Sequence, residues 1–89
     1  MIDIYNGVTE VISKHLGFDE EEANAIDYLN SLRCLNCDSL DVVEIISLLE
    51  IKFGIDISED ECDKYFKMES TIQDIVNFID SKANKSPLD

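Results

Sequence analysis

Asp38-Ser39-Leu40-Asp41-Val42-Val43-Glu44-Ile45-Ile46-Ser47-Leu48-Leu49-Glu50-Ile51-Lys52-Phe53-Gly54 reads as one amphipathic helix with its own start and stop signals. At about 100° per residue, Val42, Ile45, Ile46, Leu49 and Phe53 gather on one arc, which marks a core face. Asp38 can cap the first turn, Asp41 adds negative charge where the helix dipole favours it, and Gly54 supplies the stop. The rest of the helix is not an ordinary solvated surface. Leu40, Val43, Leu48 and Ile51 are interleaved there with Asp41, Glu44, Ser47 and Glu50. An apolar centre with an acidic rim suits a protein partner; the competing reading is that a second helix of the chain covers it.

Upstream, the spacing of Ile4, Tyr5, Val8, Val11, Ile12 and Leu16 predicts a helix over 3–16, opened by Asp3 and stopped by Gly17. His15, the single histidine, falls near the end of that apolar arc and reads as a core-edge residue favoured by the helix dipole. Residues 18–37 read as a long connection, with at most a turn of helix around Glu20-Glu21-Glu22 and with Leu29, Leu32 and Leu35 as pins to the core. Connections of that length in a small domain are uncommon and often functional. Downstream, Ser58 with Glu61 forms a capping box ahead of a short helix that buries Cys62, Tyr65 and Phe66. Ser70-Thr71-Ile72-Gln73 reads as a second capping box, opening a last helix to about Lys82 with Ile72, Ile75, Val76 and Ile79 inward and Phe78 beside them. The expected fold is all-α: a small four-helix bundle of three main helices and one short one, with a long loop between the first and second main helices. A single domain over 1–82 and a frayed tail over 83–89, where Pro87 cannot continue a helix, complete the expectation.

The chain has 89 residues, enough for one small core. Twenty acids stand against seven basic residues, a net charge of −13. That balance excludes nucleic acid and anionic membrane surfaces, which need Lys and Arg, and favours partners with basic docking patches. No stretch approaches the ~20 apolar residues of a membrane span, and Met1-Ile2-Asp3-Ile4 lacks a signal peptide's basic start. A cytoplasmic, monomeric protein without membrane insertion is expected. Three cysteines cannot all pair within the chain, which fits a reducing compartment.

Enzymatic chemistry finds little support. Ser39 as a nucleophile needs a base and an oxyanion site; His15 is the single candidate base, and no Gly-x-Ser-x-Gly elbow surrounds the serine. Cys34-Leu35-Asn36-Cys37 is a lone CxxC without the further ligands zinc needs or the βαβ context of a redox site; although Cys37 precedes a helix N-terminus, where thiolates are favoured, the pair reads as inert loop cysteines, with a reversible disulfide as the competing reading. The acids of 56–63 lack the EF-hand pattern, so no metal site is expected.

With these residues in place, the chain resembles the acyl carrier proteins over roughly 4–82. The resemblance rests on Asp38-Ser39-Leu40-Asp41, then Val43-Glu44-Ile45, Leu49-Glu50 and Phe53-Gly54; Ile57-Ser58-Glu59-Asp60-Glu61 is similar to the start of the family's third helix, and Ile72-Gln73-Asp74-Ile75-Val76 to its last. It implies that Ser39 receives 4′-phosphopantetheine from coenzyme A through a phosphopantetheinyl transferase. The arm's thiol would then carry acyl groups as thioesters to fatty-acid, polyketide or other specialised biosynthetic enzymes, the protein itself catalysing nothing. It implies docking roles for Asp38, Asp41 and Glu44, with Leu40 and Val43 as apolar contacts. Three departures stand out. The family often has Asp-Leu-Gly where this chain has Cys34-Leu35-Asn36, and Asn tolerates the left-handed backbone a glycine would adopt. Arg33 stands where an acid is common, and Phe66-Lys67-Met68-Glu69 lengthens the connection between the last two helices. These suggest a dedicated carrier in a specialised pathway. The competing readings are an aminoacyl carrier of peptide synthesis and an unmodified helical adaptor.

Overall fold

The computed structural model describes residues 3–83 as five α-helices in chain order: α1 Ile4–Leu16, α2 Glu20–Asn24, α3 Ser39–Phe53, α4 Glu59–Tyr65 and α5 Ile72–Ala83. The three long helices and one short helix of the sequence reading are present, and the turn at Glu20-Glu21-Glu22 is the five-residue α2. Helix ends follow local chemistry. Asp3 accepts a hydrogen bond from the Asn6 N–H, and Gly17 closes α1 at φ 74°. Asp19, Asp38 and Ser58 each open a helix with a complete capping box. Gly54, at φ 64°, ends α3 in the left-handed region that favours glycine.

α1 is the element the others share, packing against α3, α5 and α2, while α4 packs on α5. Gly7 of α1 is buried, and a Cβ there would stand 2.5 Å from Phe53 Cζ; the missing side chain lets the Phe53 ring lie against the α1 backbone. Val8, Ile12, Ile45, Leu49, Ile72, Ile75 and Ile79 are fully buried, as the helical spacing predicts. Two expected core positions change weight. Val76 and Phe53 are half-buried, whereas Phe78 is buried. Phe78 stacks on Tyr65, ring centroids 4.7 Å apart, and meets Phe66 edge-on at 5.5 Å. That aromatic cluster joins α4 to α5 and draws Phe78 inward. Of the α4 residues expected inside, Phe66 is buried, and Cys62 and Tyr65 are half-buried.

The last helix is capped one residue later than the sequence reading has it. Thr71 Oγ1 accepts from the Asp74 N–H at 3.1 Å and Asp74 Oδ2 accepts from the Thr71 N–H at 3.0 Å. Ser70 instead accepts from the Lys67 N–H at 2.9 Å and tightens the preceding turn. Of the tail expected to fray from residue 83, Ala83 still belongs to α5, and 84–89 lie outside the described residues.

The long connection is held mainly by its backbone. Ile72 and Gln73 N–H donate to Asn30 and Tyr28 carbonyls at 2.9 and 3.0 Å, and Leu32 and Arg33 N–H donate to Ser70 and Met68 carbonyls at 3.0 and 2.9 Å. The connection therefore lies along the α4–α5 turn, with Ser31 and Thr71 in an isolated antiparallel bridge. Backbone groups that must leave water find partners there without a sheet. Of the three leucine pins, Leu32 is fully buried and Leu35 half-buried, but Leu29 is 80% exposed; Ile26 takes the inward place. Tyr5 Oη donates to the Ile26 carbonyl at 2.6 Å and fastens that point to α1.

The charge of this fold has a measurable consequence. Residues 38–61 carry Asp38, Asp41, Glu44, Glu50, Asp56, Glu59, Asp60 and Glu61 against Lys52 alone, and Lys52 reaches away to Glu10 of α1 at 3.1 Å. Self-repulsion of that kind opposes a small core and is relieved by screening. Sodium chloride or magnesium should raise Tm, each ~1 kcal/mol of relief being worth roughly 4–8 °C in a domain of this size. A Tm indifferent to ionic strength would show that the repulsion is not felt by the folded state.

Candidate functional site

Ser39 is the first residue of α3, and its side chain stands exposed at the helix end. Asp38 Oδ1 accepts from the Asp41 N–H at 2.8 Å and Asp41 Oδ2 accepts from the Asp38 N–H at 3.0 Å. This reciprocal pair brackets Ser39 and Leu40 and sets the direction in which the helix starts. The approach is set by Asn36, whose φ of 65° makes it the one non-glycine residue in the left-handed region among those described. The turn that glycine often supplies in the family is thus retained by asparagine. Cys37 is buried behind it, and burial, with Asp41 and Asp38 nearby, pushes its thiol up to about 11. Whatever a helix N-terminus offers a thiolate, desolvation and like charge outweigh it here, as the reading of inert loop cysteines expects. Cys34 is exposed, and both cysteines are free thiols.

His15 crosses from the end of α1 to the first turns of α3. Its Nε2 lies 2.9 Å from Asp41 Oδ1 and 3.2 Å from Glu44 Oε2. The ring is therefore more than a core-edge residue: it fastens the end of α1 to the first turns of α3. Hydrogen bonds from the Asp38 N–H and the His15 ring hold the Asp41 carboxyl below the usual carboxylate range. No periodicity argument could have found this contact, because it joins residues 26 apart that separate helices bring together.

The second face of α3 is uncovered. Leu40 is 73% exposed, Val43 61% and Ile51 79%, and Leu48 lies partly open beside them. Leu40 and Val43 flank Ser39 together with Asp38, Asp41 and Glu44, which places all the sequence-predicted docking residues around one helix end. From Ser39 an open cleft of about 300 Å³ runs between α3 and α4, lined by Val42, Ile46, Cys62, Phe66 and Met68 among others. A larger hollow of about 470 Å³, beside Tyr65 and Phe78, does not include Ser39 in its lining. Two of the departures noted in the sequence meet at the side: Arg33 pairs with Glu69 at 2.7 Å, joining the approach loop to the lengthened α4–α5 turn. Both side chains are largely exposed, so the pair sets geometry more than stability.

The described residues thus form a helical domain in which an exposed serine heads the acidic helix α3. Residues 6–79 match the family model described as "Phosphopantetheine attachment site". The chain is 36% identical over 84 residues to an acyl carrier protein of Helicobacter hepaticus, covering 94% of this chain and 100% of that one. It is 34% identical over 81 residues to an acyl carrier protein of Thermosynechococcus vestitus, covering 91% and 93%. The chain belongs to the acyl carrier protein family, whose attached group is 4′-phosphopantetheine. It is a carrier and not a catalyst, and carriers of this family work with a phosphopantetheinyl transferase and with biosynthetic enzymes. No helix among the described residues is long and apolar enough to cross a membrane.

Proposed function

We propose that Ser39 is the residue that bears 4′-phosphopantetheine, and that the chain carries acyl intermediates as thioesters on that arm within a specialised biosynthetic pathway in the cytoplasm. The observation that carries this reading is the exposed Ser39 at the first position of α3, between the two halves of the Asp38–Asp41 capping box. A phosphodiester there lies at the positive end of the helix dipole, so the attached group is held by the element that presents it. The cleft beginning at Ser39 offers Val42, Ile46, Phe66 and Met68 to an apolar cargo folded back from the arm. The single domain acts as a monomer and meets its enzymes through the charged and apolar residues around the helix end. Intact mass after exposure to coenzyme A, magnesium and a broad-specificity transferase tests the reading: a gain of about 340 Da, once, is expected. An unchanged mass with several transferases would return the unmodified adaptor reading, and preferential loading of aminoacyl groups by an adenylating enzyme would move the cargo to peptide synthesis.

Docking is proposed to be electrostatic. Asp38, Asp41 and Glu44 form the acidic rim around Leu40 and Val43, and basic patches on partner enzymes complement it. Exposed charges steer encounter and are screened over ~8 Å at physiological ionic strength. Glu44→Lys should lower kcat/KM of an acyl-loading enzyme by about tenfold at low salt, and by less as salt rises, with the helical circular dichroism unchanged. Equal low-salt rates for mutant and wild type would remove Glu44 from the docking surface.

A further inference from the structure

We propose that His15, Asp41 and Glu44 form a binding site for a first-row transition-metal dication. Their ligand atoms, the ring Nε2 and one oxygen from each carboxylate, all lie within 4.8 Å of one another. Three donors around a tetrahedral zinc, each at about 2.0–2.1 Å, stand roughly 3.3 Å apart. The two nitrogen–oxygen separations, 2.9 and 3.2 Å, need to open by only a few tenths of an ångström.

Acids alone would take magnesium or calcium loosely; the imidazole changes the selection, because nitrogen donors suit zinc, nickel and copper. The donors are also positioned in advance. The Asp38 N–H holds Asp41 Oδ2, which leaves Oδ1 directed at the ring. Glu44 follows Asp41 by three residues on α3 and so shares its face. His15 comes from a different helix, its side chain only 15% exposed, while Glu44 is open to solvent and leaves an entry path and a fourth position for water. A bound dication would replace the ring's contact with the two acids by a stronger clamp between α1 and α3. It would also cancel the charge of two carboxylates assigned above to docking; that consequence rests on the docking reading, whereas metal uptake does not.

The test uses the full chain with Ser39 unmodified, stripped with chelator, and with Cys34→Ser to remove the exposed thiol. Zinc titrated calorimetrically should bind one equivalent. Because the chain has one histidine, its imidazole nitrogens are unambiguous by NMR, and Nε2 should shift as zinc binds while equal magnesium leaves it in place. His15→Gln and Glu44→Gln should each weaken uptake by about tenfold or more, and the second substitution, at an exposed position, leaves the fold intact. Unshifted ring nitrogens at saturating zinc, uptake undiminished in Glu44→Gln, or an equal response to magnesium would each overturn the proposal. Modification at Ser39 is measured separately, so either reading can fail without the other.

Discussion

Ser39→Ala should keep its unmodified mass after incubation with coenzyme A, magnesium and a phosphopantetheinyl transferase, while the wild-type chain gains about 340 Da. The loss should be complete, because the hydroxyl is the atom that forms the phosphodiester. The fold should be unaffected. Ser39 is exposed at the first helical position, the Asp38–Asp41 capping box does not use its side chain, and alanine is a good helix former. Ser47→Ala, an exposed serine two turns along the same helix, is the control and should be modified at the wild-type rate. Addition surviving in Ser39→Ala would place the attachment elsewhere, and a wild-type chain that is never modified would overturn the assignment of Ser39 altogether.

The second large effect concerns the core. Leu49 is fully buried on the inner face of α3, and Leu49→Ala should cost roughly 2–5 kcal/mol by lost transfer energy and by the cavity left behind. A domain of this size has about 5–10 kcal/mol in total, so the variant should lose at least about 8 °C in Tm and unfold in modest denaturant. Ile51→Ala, two residues on and 79% exposed, should change stability by no more than about 0.5 kcal/mol. Chemical denaturation of the three proteins gives the comparison. A silent Leu49→Ala beside a damaging Ile51→Ala would mean that the two faces of α3 have been exchanged.

The division between those faces was legible in the residues themselves. Val42, Ile45, Ile46 and Leu49 recur at helical spacing, and Leu40, Val43 and Ile51 fall outside their arc, so periodicity alone separated buried from exposed. Asp3, Asp38 and Ser58 opened their helices because a cap is a contact between residues two or three apart. The likeness of Asp38-Ser39-Leu40-Asp41 to a carrier motif was legible for the same reason, since it is a local pattern at a helix start. The sequence pattern points to Ser70 as the cap where Thr71 serves, a shift of one residue between two adjacent hydroxyls, decided by which of them the Lys67 turn already uses.

Local spacing and end signals specify the main helices, most of their buried positions and the serine that heads α3. The tertiary structure decided the rest: Leu29 left in solvent with Ile26 inside, Phe78 drawn in by Tyr65 and Phe66, Gly7 kept bare for the Phe53 ring, and His15 set between Asp41 and Glu44. Each of these depends on which surfaces meet once the helices pack. Local spacing records the contacts a residue makes within its own few turns, whereas a ring stacking on another helix or an imidazole between two acids is selected by the shape and charge of a neighbour that is distant along the chain.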